Sequence, residues 1–167
     1  TETLGSLKLN GMAKALKSIS ASSKGSHLDF LKELLTAEIS DRMNRRLKRN
    51  MAGAHFPVNK DLTNFDFSRL EGITELQIKN LQDFSWIDKQ ENLLFFGPPG
   101  LGKTHLSIAL GIQAIKAGYK VCFERITSLI KLLKTMEVQR SSSFRINRIL
   151  KSSVLIIDEI GYTPIDR

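Results

Sequence analysis

The chain has 167 residues, 41% hydrophobic and 25% charged, a composition that fits one globular domain, alone or with a helical appendage. No apolar run approaches the roughly 20 residues that cross a bilayer, nothing near the N-terminus reads as a secretory signal, and the lone Cys122 builds neither a disulfide framework nor a zinc site, so the cytoplasm is the expected compartment, with no membrane partner. The net charge of +8 is uneven: residues 1–60 hold 11 Lys/Arg against 5 Asp/Glu, and residues 61–167 hold 14 against 12, which points to a polyanionic partner for the N-terminal part.

In chain order, the apolar residues of Leu4–Ile19 recur at roughly helical spacing, with Asn10-Gly11 as a break between two short helices. Residues 18–26 are small and polar and read as a loop. Ser26, with Asp29 three residues on, is the N-cap of a longer helix. Leu28, Leu31, Leu35, Ile39, Met43 and Leu47 form its apolar stripe. Near its end cluster Arg42, Arg45, Arg46, Lys48 and Arg49. One reading is a solvated helix end whose cations suit the helix dipole. The sharper one is contact with the phosphate backbone of double-stranded DNA. Without interleaved aromatics the cluster predicts no base stacking. Ala52–Asp66 is irregular. Thr74–Phe84 reads as a helix with Leu76, Leu81 and Phe84 inward, followed by Trp86. These aromatics are core candidates, with an adenine wall as the alternative. The expected division is a helical basic domain over 1–56, a linker and lead-in helix over 57–92, and a nucleotide-binding core over 93–167.

Leu93-Leu94-Phe95-Phe96 is a short apolar run of buried-strand type, and His105–Ala117 reads as helix. Between them stands Gly97-Pro98-Pro99-Gly100-Leu101-Gly102-Lys103-Thr104, a match to the loop that wraps a nucleotide's phosphates. Its glycines let backbone N–H groups converge on one anionic centre, Lys103 adds a point charge at the β/γ-phosphates, and the Thr104 hydroxyl suits Mg²⁺. The ligand expected is ATP. Beyond it come a strand over Lys120–Glu124 with Cys122 as a core thiol, an amphipathic helix over Thr127–Val138, an interruption at Arg140–Ser143 and a helical turn or two over Phe144–Leu150. Val154–Ile157 is a continuous apolar run, as in a strand covered on both faces. The alternation implies an α/β fold: a parallel sheet with helices on both faces, preceded by a small all-helical domain. Asp158-Glu159 closes the last strand, at the end where α/β sheets gather ligands. Asp158 would complete the Mg²⁺ site opposite Thr104, and Glu159 would act as general base on water. That glutamate favours hydrolysis over a kinase reaction. His105 reads as a packing residue.

Taken together, the residues resemble the IstB-like ATPases, helpers of insertion-sequence transposases and relatives of the DnaC-type helicase loaders. The resemblance is carried by Leu7-Lys8-Leu9-Asn10-Gly11-Met12-Ala13-Lys14-Ala15-Leu16, the arginine-rich helix end, Phe65-Asp66-Phe67, Lys103-Thr104-His105 and Asp158-Glu159-Ile160-Gly161-Tyr162. It implies a bacterial, AAA+-type P-loop NTPase that forms ATP-dependent oligomers on DNA and recruits or activates a transposase. Lys103, Thr104, Asp158 and Glu159 would hold the roles given above. A helicase loader, or a DNA-binding adaptor switched by ATP without hydrolysis, are the alternatives. In AAA+ relatives two further strands follow the acidic pair, one of them between the loop strand and the acidic strand. This chain reaches Arg167 first, so a truncated chain with an incomplete sheet is expected. Residues 1–167 alone should bind nucleotide weakly with negligible turnover, and ATPase activity should belong to the full-length form.

Overall fold

The computed structural model describes residues 2–22, 25–69 and 72–160. The chain divides into two compact units, 1–49 and 50–167, with the division inside its longest helix.

In the first unit, α1 (Glu2–Ser6) and α2 (Asn10–Ser22) precede α3 (His27–Ala54). The break between α1 and α2 falls at residues 7–9, and α2 continues through the small polar residues to Ser22, where a loop is predicted from residue 18. Gly11 lies inside α2 for a steric reason. A Cβ there would come within 2.6 Å of the Ala37 carbonyl oxygen and the Glu38 Cα, so α2 crosses α3 backbone to backbone. Residues 23–24 of the predicted loop lie outside the described residues. Ser26 caps α3 as predicted: the Asp29 N–H donates to the Ser26 hydroxyl at 3.3 Å, and the Ser26 N–H donates to the Asp29 carboxylate at 3.1 Å. The predicted stripe is not the covered face. Leu28, Leu31, Leu35, Ile39 and Met43 are exposed, whereas Leu34 and Glu38, about a quarter-turn around, are buried with Met12.

The second unit carries the sheet. After α3, short 3₁₀ turns at Leu62–Asn64 and Phe67–Arg69 lead to α4 (Glu75–Asn80), a further 3₁₀ turn at Leu81–Asp83, and α5 (Ser85–Asp88). The predicted helix over 74–84 is thus broken. Thr74 caps α4 through a reciprocal pair with Gln77. Phe84, at φ 59°, turns the chain between the short helices. Leu76 faces out, and Ile78, two residues on, is the fully buried one. Then follow α6 (Lys103–Lys116), β1 (Val121–Arg125), α7 (Ile126–Thr135), α8 (Arg140–Leu150) and β2 (Val154–Asp158). The expected interruption at 140–143 is instead the first turn of α8, and the real break is residues 136–139.

β1 and β2 pair in parallel with Val121 beside Val154 and Arg125 beside Asp158. Successive strand residues point to opposite faces, and both faces are covered. Phe123 and Ile156 pack against Ile108 and Ile112 of α6. Cys122 and Leu155 pack against Ile146 and Ile149 of α8 and Leu129 and Leu132 of α7. Two-sided burial is why both strands read as unbroken apolar runs. The fold is therefore a P-loop α/β arrangement whose sheet is incomplete. Leu93–Phe96, predicted as the loop strand, forms no strand: no described segment lies beside it to supply ladder hydrogen bonds. Phe95 still packs inward beside Phe65, Ile78, Leu106 and Leu110, while Leu94 and Phe96 are 71% and 87% exposed. No helix among the described residues is long and apolar enough to cross a membrane.

Candidate nucleotide site

The N-terminus of α6 and the C-terminal ends of the two strands build the site. Gly102, at φ 84°, is the N-cap of α6 and offers no side chain to cap its first turn, which also carries no acidic residue. The first amide N–H groups of a 14-residue helix are thus left for an anion. Gly100 and Gly102 both adopt positive φ, 85° and 84°, a region where a side chain is strained. At Gly102 space is equally restrictive, because a Cβ would come within 2.8 Å of the Phe65 ring. That ring stands edge-on to Phe67 and to His105, each at a centroid distance of 5.0 Å. His105 Nε2 lies 3.0 Å from the Asp61 carbonyl oxygen. His105 is therefore a packing residue, as its sequence context indicates. The Phe65-Asp66-Phe67 segment is a buttress under the loop, a role its sequence position did not reveal.

Lys103 Nζ donates to the Gly97 and Pro98 carbonyl oxygens, each at 2.7 Å, so the ammonium lies back across its own loop. Gly97, Pro98, Pro99 and Gly100 form an exposed turn, followed by the half-buried Leu101 and Gly102. The Thr104 hydroxyl reaches across to β2 and donates to the Asp158 carboxylate, 3.0 Å from Oδ1 and 3.1 Å from Oδ2. Two residues 54 positions apart are thereby brought into direct contact. Glu159, next in sequence, leaves the strand at φ 62°, and its carboxylate lies 3.7 Å from the Arg125 guanidinium. Arg125 is opposite Asp158 in the sheet register. The signal for this neighbour was available only by aligning the ends of two parallel strands. Gly161 and Tyr162 lie outside the described residues.

A family model, IstB-like ATP binding protein, matches residues 2–167. The chain belongs to the IstB-like ATP-binding family. Among relatives, the "Insertion sequence IS5376 putative ATP-binding protein" of Geobacillus stearothermophilus is 38% identical over 141 residues, 84% of this chain and 56% of that protein. The "Insertion sequence IS21 putative ATP-binding protein" of Pseudomonas aeruginosa is 32% identical over 167 residues, covering 98% of this chain and 63% of that protein. A Bacteroides fragilis (strain YCH46) relative, "Insertion sequence IS21-like putative ATP-binding protein", is 34% identical over 168 residues, 99% of this chain and 84% of its own length. The chain thus spans somewhat over half the length of the first two relatives.

In this IstB-like chain the residues proposed for a cation fit one. A hydroxyl and a carboxylate that meet at 3.0 Å are two hard oxygen donors, the type that Mg²⁺ takes alongside phosphate oxygens. No cluster of three or more His, Cys, Asp or Glu with metal-site geometry occurs among the described residues, so the phosphates would have to complete the shell. The basic cluster of the helical unit is partly spent on internal pairs. Arg42 Nε lies 2.6 Å from Glu38, and Arg45 Nε lies 2.7 Å from Asp41. Arg46, Lys48 and Arg49 are exposed along the same helix.

Proposed function

We infer that this chain carries the nucleotide-binding core of an ATPase that assists a transposase in insertion-sequence transposition. The observation that carries the reading is the Thr104–Asp158 contact, which joins the phosphate loop to the acidic strand end at one point. The uncapped α6 N-terminus and the loop N–H groups bind the phosphates. Lys103 exchanges its two carbonyl partners for the β- and γ-phosphate oxygens, a better match for an ammonium ion. Thr104 and Asp158 hold Mg²⁺, which when bound neutralises charge on the phosphates. Glu159 accepts the proton of the attacking water, and must leave Arg125 to do so.

The relatives' names support the transposition setting, and the basic excess of residues 1–60 supports double-stranded DNA as a partner. ATP-dependent self-assembly and contact with the transposase belong to the same proposal for the longer protein. The decisive experiment uses the full-length protein, measuring binding of a fluorescent ATP analogue and phosphate release with and without duplex DNA. Lys103→Ala should abolish binding. Glu159→Gln should keep binding while lowering turnover by about 100-fold or more. Nucleotide bound as tightly by Lys103→Ala as by the unsubstituted protein would overturn the reading.

A further inference from the structure

A second polar cavity opens in the 50–167 unit, of about 590 Å³, between the end of β1, α7 and the start of α8. Its lining is rich in cations: Arg125, Lys131 and Arg145 against the single carboxylate of Glu124. The first turns of two helices border it, α7 through Ser128 and α8 through Ser141 and Ser142. Neither helix has a side-chain cap, and neither has an acidic residue in its first turn, so both positive dipole ends remain uncompensated.

The wall between them holds an unmet donor. Arg145 Nε pairs with Glu124 Oε1, and its Nη2 donates to the Phe123 carbonyl oxygen at 3.2 Å. Its Nη1 is buried with no hydrogen-bond partner. Leaving an N–H of a guanidinium buried and unpaired is costly, and an acceptor in the cavity would remove that cost. The local field is sensed at the rim by His55, whose basicity burial lowers first and the Arg145 and Arg148 cations lower further, against an opposing effect of Glu124.

We propose that this cavity is a second anion site, separate from the phosphate loop, that takes a phosphate group. Converging cations, two open helix starts and serine hydroxyls present donors from several directions, which suits a tetrahedral oxyanion. The volume exceeds that of a bare phosphate, so the group can enter attached to a larger molecule. The site stands apart from the nucleotide reading and does not use Lys103 or Thr104.

The test takes the full 167-residue chain carrying Lys103→Ala, which disables the phosphate loop, and titrates it with inorganic phosphate by calorimetry. One site is expected to remain. Adding Lys131→Glu, an exposed position whose change leaves the Glu124–Arg145 pair intact, should weaken that site at least tenfold without moving the melting temperature of the phosphate-free protein. A Ser141→Asp variant should do the same through the helix start. A labelled duplex titrated against salt distinguishes the sources. If Lys131→Glu also lowers the log–log slope by about two units, the group is a nucleic-acid phosphodiester. An unchanged slope with lost phosphate binding identifies a free or monoester phosphate. No phosphate binding in the Lys103→Ala protein, or binding that both variants leave within twofold, would overturn the proposal.

Discussion

At the scale of single residues, two positions carry more than their side chains suggest. Gly102 meets two demands at once, a left-handed backbone and contact with the Phe65 ring. Gly102→Ala should therefore cost about 1–3 kcal/mol of stability, from backbone strain and overpacking together. It should also loosen the loop. Thermal unfolding and analogue binding on the same protein read both effects, and an unchanged melting temperature would mean that Phe65 simply moves away. Glu38 is the other. Its carboxylate accepts the Gly11 and Met12 N–H groups at 2.7 and 3.1 Å, serving as a cap for α2 from another helix. Its bond from Arg42 is the largest cause holding its carboxyl below the usual glutamate value of 4.5, with the two N–H groups adding to it against burial. A depressed folded-state value means that the stabilisation is present above pH 4.5 and is lost as pH falls through and below it. Helical circular dichroism followed from pH 7 to 3 should show an acid transition in the unsubstituted chain. Glu38→Gln should be less stable at pH 7 and much less sensitive to acid.

Elements show where sequence periodicity runs out. α3 bears two apolar lines, and the longer is the exposed one, so Leu34→Ala should cost about 2–4 kcal/mol while Leu35→Ala, one residue on, stays within about 0.5. Denaturant midpoints of the two variants, compared side by side, decide this. A pattern tells which residues share a face but not which of two faces finds a neighbour. The same gap explains Leu93–Phe96. A strand exists only by pairing, and its apolar residues predicted burial that Leu94 and Phe96 do not obtain. By contrast β1, β2, α6 and α7 were legible because their own residues encode two-sided burial or one apolar face. The phosphate loop and the acidic pair were legible for a related reason: their chemistry is written in short fixed spacings. Arg125 beside Glu159 and Phe65 under Gly102 were not, since each depends on the register of segments more than 30 residues apart.

For the whole molecule, charge is the property that the sequence distributes and the fold edits. Eleven cations against five acids in residues 1–60 predict attraction to a polyanion. Yet Arg42 and Arg45 are held by Glu38 and Asp41, so their charges are already balanced and their geometry is spoken for. Counterion release counts phosphates neutralised by cations that can turn toward DNA. Lys48 and Arg49 lie exposed at the end of the cluster, clear of the Glu38 and Asp41 pairs. Lys48→Gln with Arg49→Gln should lower the log–log salt slope of duplex binding by about two units with little change in melting temperature. Arg42→Gln should behave in the opposite way. It should leave the slope nearly unchanged and lower stability, because Glu38 loses its closest cation while remaining buried. Fluorescence anisotropy of a labelled duplex between 50 and 200 mM salt separates the two sets. Equal slope changes in both would mean that the internal pairs open on DNA, and that the cluster acts as one surface.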